Sequence, residues 1–163
     1  MRRAIIWSVA HTRPRCEKKV VQQCARYGVA ATLPCYASRR SYPSKVVVFQ
    51  KPLFPGYVFL QTQGEVDEKL LRNDYVAQIL TIHDQQGFAR QLADILAALK
   101  AGLEIRLVPE IGTGARVRIK SGALSGIEGW VEERFGGETV LLRLDFIGQA
   151  AAVKLSASEI ELA

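Results

Sequence analysis

The chain has 163 residues, 48% of them apolar and 23% charged, which excludes a disordered chain and suits one medium domain or two small ones. No apolar run approaches the roughly 18 residues that a membrane-spanning helix needs, and the N-terminal MRRAIIWSVAHTRPR reads as a buried first strand rather than a secretory signal. The net charge of +6 is uneven: residues 1–51 hold eleven basic residues against the single acid Glu17, residues 1–100 fifteen against seven, and residues 101–163 seven against nine, a split that implies two parts with different partners, the first near a polyanion.

Residues 4–11 are the first expected strand, β-branched and aromatic, ended by Thr12, Arg13 and Pro14. Residues 15–27 follow as a helix. Cys16, Val20, Cys24 and Tyr27 recur at steps of four and three on one face, leaving Glu17, Lys18, Lys19, Gln22 and Arg26 outside it. Gly28 stops it, because glycine takes the left-handed conformation cheaply. Residues 29–35 make a short apolar strand. The turn-rich YASRRSYPS at 36–44 and the strand-like residues 46–49 predict a long β-hairpin with Arg39 and Arg40 at a basic tip. A strand over 56–62, a short helix over 66–73, a strand over 76–82 and a helix over 88–101 complete this part. The last helix carries the stripe Leu92, Ile95, Leu96 and Leu99 and stops at Gly102. The order β-α-β-β-β-α-β-α predicts an α+β fold, helices packed on a mostly antiparallel sheet.

One strand is unusual. QKPLFPGYVFLQ, residues 50–61, does not alternate from Tyr57 to Leu60, so both of its faces must meet apolar groups. Val58 and Leu60 are expected to face the domain's own core. Tyr57 and Phe59, with Phe54 at the entry, then present the other face to a partner.

Residues 103–113, with Pro109 and Gly112, lack helical period and read as a flexible linker. Beyond them the period becomes two: Val117 and Ile119 alternate with Arg116, Arg118 and Lys120, and Val140, Leu142, Leu144 and Phe146 with Leu141, Arg143 and Asp145. About five short strands in residues 114–163 predict a small barrel, whose interior side chains contribute about 1.5–3 kcal/mol each. Gly122 and Gly126 sit at its turns, and Gly129 lies inside a strand pattern, where glycine implies positive φ or a close backbone approach.

Cys16, Cys24 and Cys35 form no CxxC pair, and His11 and His83 have no metal-ligand spacing, so neither a metal site nor a disulfide framework is expected. The cysteines read as small core residues of a reduced, cytoplasmic protein. There is no Gly-rich phosphate loop, nucleophile elbow or paired carboxylate motif; no cofactor is expected, and the chain does not read as an enzyme.

GARVRIKSGALSGIEGWV, residues 114–131, resembles the KOW motif, and IIWSVAHTRPRCEKKV followed by KPLFPGYVFLQ resembles the NGN domain of the NusG family. The resemblance covers nearly the whole chain and is closer to specialised RfaH-like paralogues than to general NusG. It implies an NGN-like domain at 1–102, a linker at 103–113 and an SH3-like KOW barrel at 114–163. It also implies a transcription elongation and antitermination factor of bacterial RNA polymerase that serves specific long operons. By the resemblance, Trp7, His11, Phe54, Pro55, Tyr57 and Phe59 match the apolar cavity that holds the clamp helices of the largest polymerase subunit, with plain core packing the other reading of Trp7 and Phe59; His11 replaces a tyrosine of RfaH. Arg13, Arg15, Lys18, Lys19 and Arg26, with Arg72 and Asn73, match a surface near non-template single-stranded DNA, chemistry suited to phosphate neutralisation and base stacking. The hydroxyl-rich turn by which RfaH touches the opposite side of the cleft has no counterpart in the EKLL of residues 68–71. Leu124, Ile127 and Ile147 match loop positions that engage a small-subunit ribosomal protein or Rho; a turn closing the barrel is the other reading of these three. The family further implies a monomer. The retained glycines and β-branched alternation favour a stable barrel over the helical hairpin of RfaH. The rival reading is a KOW-containing, ribosome-associated RNA-binding protein, which explains the barrel but predicts a basic one.

Overall fold

The structure, a computed structural model, describes residues 5–64, 74–109, 114–132, 135 and 138–163. It divides into two compact units, residues 1–85 and 86–163. Among the described residues it contains two α-helices, and every strand pairing is antiparallel.

In the first unit β1 (Ile6–Thr12), α1 (Glu17–Arg26), β2 (Ala30–Thr32), β5 (Tyr57–Thr62) and β6 (Val76–Thr81) make a helix-backed sheet of order β2-β5-β1-β6. Val20 and Cys24 of α1 pack on Ala10, Val58, Leu60 and Val76, the core that the sequence period anticipates. Tyr27, at the end of the expected stripe, is exposed, whereas Glu17, expected outside, is buried in the first helical turn, where the helix's N-terminal partial charge favours a carboxylate. Gly28 follows the helix with φ +69°. Burial pushes the Cys24 thiol above its ordinary value, the mark of a core residue rather than a nucleophile.

β3 (Cys35–Tyr42) and β4 (Lys45–Pro52) form a separate two-stranded hairpin, one strand more than the expected order. Its reversal lies at Pro43 and Ser44, not at Arg39 and Arg40, which pair with Val48 and Val47 within the strands. Proline has no N–H for the ladder and a fixed φ, so the chain turns there. At the base, the Leu53 amide donates to the Pro34 carbonyl at 2.8 Å.

The second helix, α2 (Gln85–Lys100), begins three residues before its expected start. Phe88, Leu92, Ile95 and Ala98 are its buried stripe. Ile105–Pro109, expected within the linker, is instead strand β7, paired with Gln149–Lys154. Val108 is its buried position, packed with Leu141, Ala150 and Ala152. With β8 (Ala115–Ile119), β9 (Glu128–Val131), β10 (Thr139–Leu144), β11 (Gln149–Lys154) and β12 (Ile160–Leu162), the five strands expected in residues 114–163, it makes a six-stranded sheet of order β12-β8-β9-β10-β11-β7. Among the described residues, 114–163 carry strands and short 3-10 turns and no α-helix. Within the second unit, the Gln91 side-chain amide and Asp145 exchange hydrogen bonds of 2.7 and 3.0 Å, and Phe88 meets Phe146 edge to face at 6.4 Å. No described helix is long and apolar enough to cross a membrane.

Candidate functional site

Two proline turns meet at one end of the β1–β5 pair. In Phe54-Pro55-Gly56-Tyr57 the Tyr57 amide donates to the Phe54 carbonyl at 3.3 Å and Gly56 has φ +89°, the arrangement of a type II turn with proline second and positive φ third. Arg13-Pro14-Arg15-Cys16 repeats it: the Cys16 amide donates to the Arg13 carbonyl at 3.1 Å, and Arg15 has φ +61°. Arg15 is the one non-glycine with positive φ among the described residues. For an L-residue this conformation costs roughly 1–2 kcal/mol. The Thr12 amide donates to the Gly56 carbonyl at 2.8 Å and ties the two turns together.

The register pairs His11 with Tyr57, Val9 with Phe59 and Trp7 with Gln61. Opposed residues of an antiparallel pair share a face, so Trp7, His11, Tyr57 and Phe59 lie together, opposite the face that Val58 and Leu60 turn to α1. At its open end the His11 and Tyr57 rings stack, centroids 5.1 Å apart and planes 18° from parallel. His11 and Pro55 are exposed, and Tyr57 and Trp7 half-buried. The β1–β6 register shifts between His11 and Thr12, a bulge that bends the strand beside this stack.

Two of the six cavity residues are buried: Phe54 against expectation, and Phe59 in line with the core reading. Phe54 and Phe59 are both 0% exposed and meet edge to face at 6.2 Å. The type II turn carries Phe54 inward and leaves Pro55 outside, because burying an aromatic ring is worth several times more than burying a proline already fixed in a turn. These phenylalanines support the face from within; they do not form its surface. Gln85 was not legible as part of the site. Its side chain accepts from the Trp7 amide at 2.6 Å and donates to the Trp7 carbonyl at 2.8 Å, replacing ladder bonds where β6 no longer runs beside β1.

Arg13, Arg15, Lys18, Lys19 and Arg26 are all exposed. Lys19 Nζ lies 5.1 Å over the Tyr75 ring, and the Arg13 amide donates to the Tyr75 carbonyl at 2.9 Å. Lys18 Nζ donates to the Gln50 carbonyl at 2.8 Å, joining α1 to the hairpin. Arg72 and Asn73, and the helix expected over 66–73, lie outside the described residues.

In the second unit Gly122 and Gly126 have φ of +86° and +91°, as turn glycines should. A Cβ on Gly129 would sit 2.5 Å from Val140 Cγ1 and 2.7 Å from the Leu141 carbonyl, so the backbones approach too closely for any side chain. Leu124 is 2% exposed and therefore closes the turn instead of offering a surface, while Ile127 and Ile147 are half-buried. The sequence reading also missed a stack on β8–β10. Arg116 pairs with Trp130 across the ladder, and Arg143 lies 4.0 Å over the Trp130 ring. Arg118 and Arg116 both hydrogen-bond Glu128, holding its carboxyl below the ordinary value. Alternating charges on facing strands were the available signal. Among the described residues no cluster of His, Cys, Asp or Glu could hold a metal ion.

The family description "Transcription termination factor nusG" matches residues 6–97, more than half the chain. The chain belongs to the NusG family. A curated relative, the transcription termination/antitermination protein NusG of Lactococcus lactis subsp. lactis (strain IL1403), is 28% identical over 173 aligned residues, covering 95% of this chain and 91% of the relative. A solved structure described as "Domain interaction in Thermotoga maritima NusG" aligns over 98% of this chain and 97% of its own, with 22% identity and a TM-score of 0.49. NusG-family proteins are transcription factors, not enzymes, and this NusG-like chain is a transcription termination/antitermination factor. The matched region holds both proline turns, the stacked pair and the basic surface.

Proposed function

We propose that this NusG-family protein binds RNA polymerase through the face of the β1–β5 pair that carries Trp7, His11, Pro55 and Tyr57, and suppresses pausing and termination. The observation that carries the reading is the Tyr57–His11 stack, an aromatic surface set by a rigid turn and left partly open beside an otherwise buried face. Its occupant is helical, the clamp helices of the largest subunit, and Phe54 and Phe59 stiffen the wall behind it. Interfaces of this kind depend on a few aromatic anchors, each worth about 2 kcal/mol or more. The factor lowers no chemical barrier; by binding one clamp state more tightly, it shifts polymerase toward that state.

On this reading the chain is an NGN domain followed by a KOW domain, specialised in the RfaH manner for a few long operons. Arg13, Arg15, Lys18, Lys19 and Arg26 face non-template single-stranded DNA; their exposure and the adjacent Tyr75 support this. Ile127 and Ile147 are the remaining apolar positions for a small-subunit ribosomal protein or Rho. Single-round transcription with purified polymerase tests the function: the protein raises read-through of pauses and terminators. Unchanged read-through, or co-sedimentation with ribosomes in place of polymerase, contradicts it.

A further inference from the structure

The β3–β4 hairpin is not used by the proposed polymerase contact, yet its two faces are chemically distinct. The register opposes Tyr36 with Lys51, Ser38 with Phe49, Arg40 with Val47 and Tyr42 with Lys45, and these four pairs share one face. That face interleaves three aromatic rings with three cations. Phe49 is 41% and Tyr42 44% exposed, while Tyr36 and Lys51 at the base of the hairpin are half-buried. Residues 35–52 contain four basic residues and no acid. The opposite face sets Arg39 against Val48 and Ser41 against Val46 and has no aromatic ring.

Exposed rings spaced by cations along a strand match an extended nucleic-acid strand, whose bases stack on aromatic faces while its phosphates meet ammonium and guanidinium groups. A duplex offers no unstacked base to such a surface. The hairpin is also continuous with the α1 basic surface, through the Lys18 bond to the Gln50 carbonyl at its base. We propose that the Tyr36–Tyr42–Phe49 face of the hairpin is a stacking platform for single-stranded DNA that extends the α1 surface. The choice of DNA over RNA rests on the proposed placement of α1 beside the non-template strand; the platform itself rests on the hairpin alone.

The test is anisotropy titration of the full chain with a labelled 15-nucleotide single-stranded DNA, the same sequence as RNA, and its duplex, at several salt concentrations. Replacing both rings (Tyr42→Ala with Phe49→Ala) weakens single-stranded DNA roughly tenfold or more and leaves the salt slope unchanged. Arg40→Gln with Lys45→Gln lowers that slope by about 1.4, two phosphate contacts at roughly 0.7 each. A wild type that does not bind single-stranded DNA, a ring variant that binds like wild type, or a wild type that prefers duplex overturns the platform; a tenfold preference for RNA overturns the assignment to DNA. Arg13→Ala with Arg26→Ala separates the two surfaces. Loss there with an unaffected ring variant leaves the α1 reading standing and removes the hairpin, and the reverse pattern does the opposite. Cross-linking of the wild type to bromodeoxyuridine-substituted DNA needs no variant: adducts map to the peptides bearing Tyr42 or Phe49, and adducts confined elsewhere overturn the proposal.

Discussion

His11 and Tyr57 face each other across the β1–β5 ladder and stack with ring centroids 5.1 Å apart. The stack exists because a type II turn starts β5 opposite the end of β1, and the Thr12–Gly56 hydrogen bond fixes that alignment. An aromatic pair of this kind contributes about 0.5–1.5 kcal/mol beyond its buried area. His11→Tyr therefore keeps stability within about 1 kcal/mol of the parent and retains polymerase binding. His11→Ala lowers both, as read by urea unfolding and by co-purification.

Phe54 and Phe59 are predicted to act on the fold. Phe54→Ala removes a ring with no exposed surface and costs about 3–5 kcal/mol, whereas loss of half-buried Tyr57 costs less. Urea melts of the two variants should separate clearly. Equal midpoints would contradict the division into supporting and contacting residues.

Arg15 holds a left-handed conformation that glycine adopts freely. Arg15→Gly relieves about 1–2 kcal/mol of strain and loses about 0.5–1 kcal/mol to chain entropy, a net gain of roughly 0.5 kcal/mol. Its single-stranded DNA binding falls at the same time. Arg15→Val, β-branched at positive φ, destabilises the fold, and chemical denaturation of the three proteins gives the order.

Gly129→Ala places a methyl group within 2.7 Å of a backbone carbonyl and is expected to cost about 1–3 kcal/mol or more. Gly126→Ala meets no atom within 4 Å and carries the conformational cost alone, about 1–2 kcal/mol. Thermal melts distinguish crowding from strain.

Glu128 supplies the pH test. Its folded value is depressed by Arg118 and Arg116, so its stabilising effect is present above the ordinary carboxylate value of 4.5 and is lost as pH falls through the depressed one. Melting temperatures of the wild type and Glu128→Gln should differ slightly at pH 7 and converge in acid. The effect is small because the pair is solvent-exposed.

The sequence made β1, α1 and α2 legible from their apolar patterns and from glycine or proline stops, and β5 from an unbroken apolar run after the turn at Pro55-Gly56. The two faces of β5 were assigned correctly from its failure to alternate. Exposure was not: the pattern showed that Phe54 and Phe59 need apolar cover but not that the folded chain itself supplies it. β7 was missed because five residues containing Pro109 are too short to display a period, and only pairing with β11 makes them a strand. Gln85 was invisible for another reason, since a side-chain amide that replaces ladder bonds leaves no periodic trace. Of the basic set, the five residues of the turn and α1 share the exposure expected of a binding surface, whereas Leu124 proved to be a turn residue.

The central claim is that the Tyr57 end of the β1–β5 face is the polymerase contact. Its most direct test is the affinity of purified RNA polymerase for the wild-type chain and for Tyr57→Ala, measured by biolayer interferometry after both proteins are shown to unfold cooperatively. The account predicts that folded Tyr57→Ala binds about 30-fold or more weakly, the loss of one aromatic anchor. Wild-type affinity in the folded variant would contradict it.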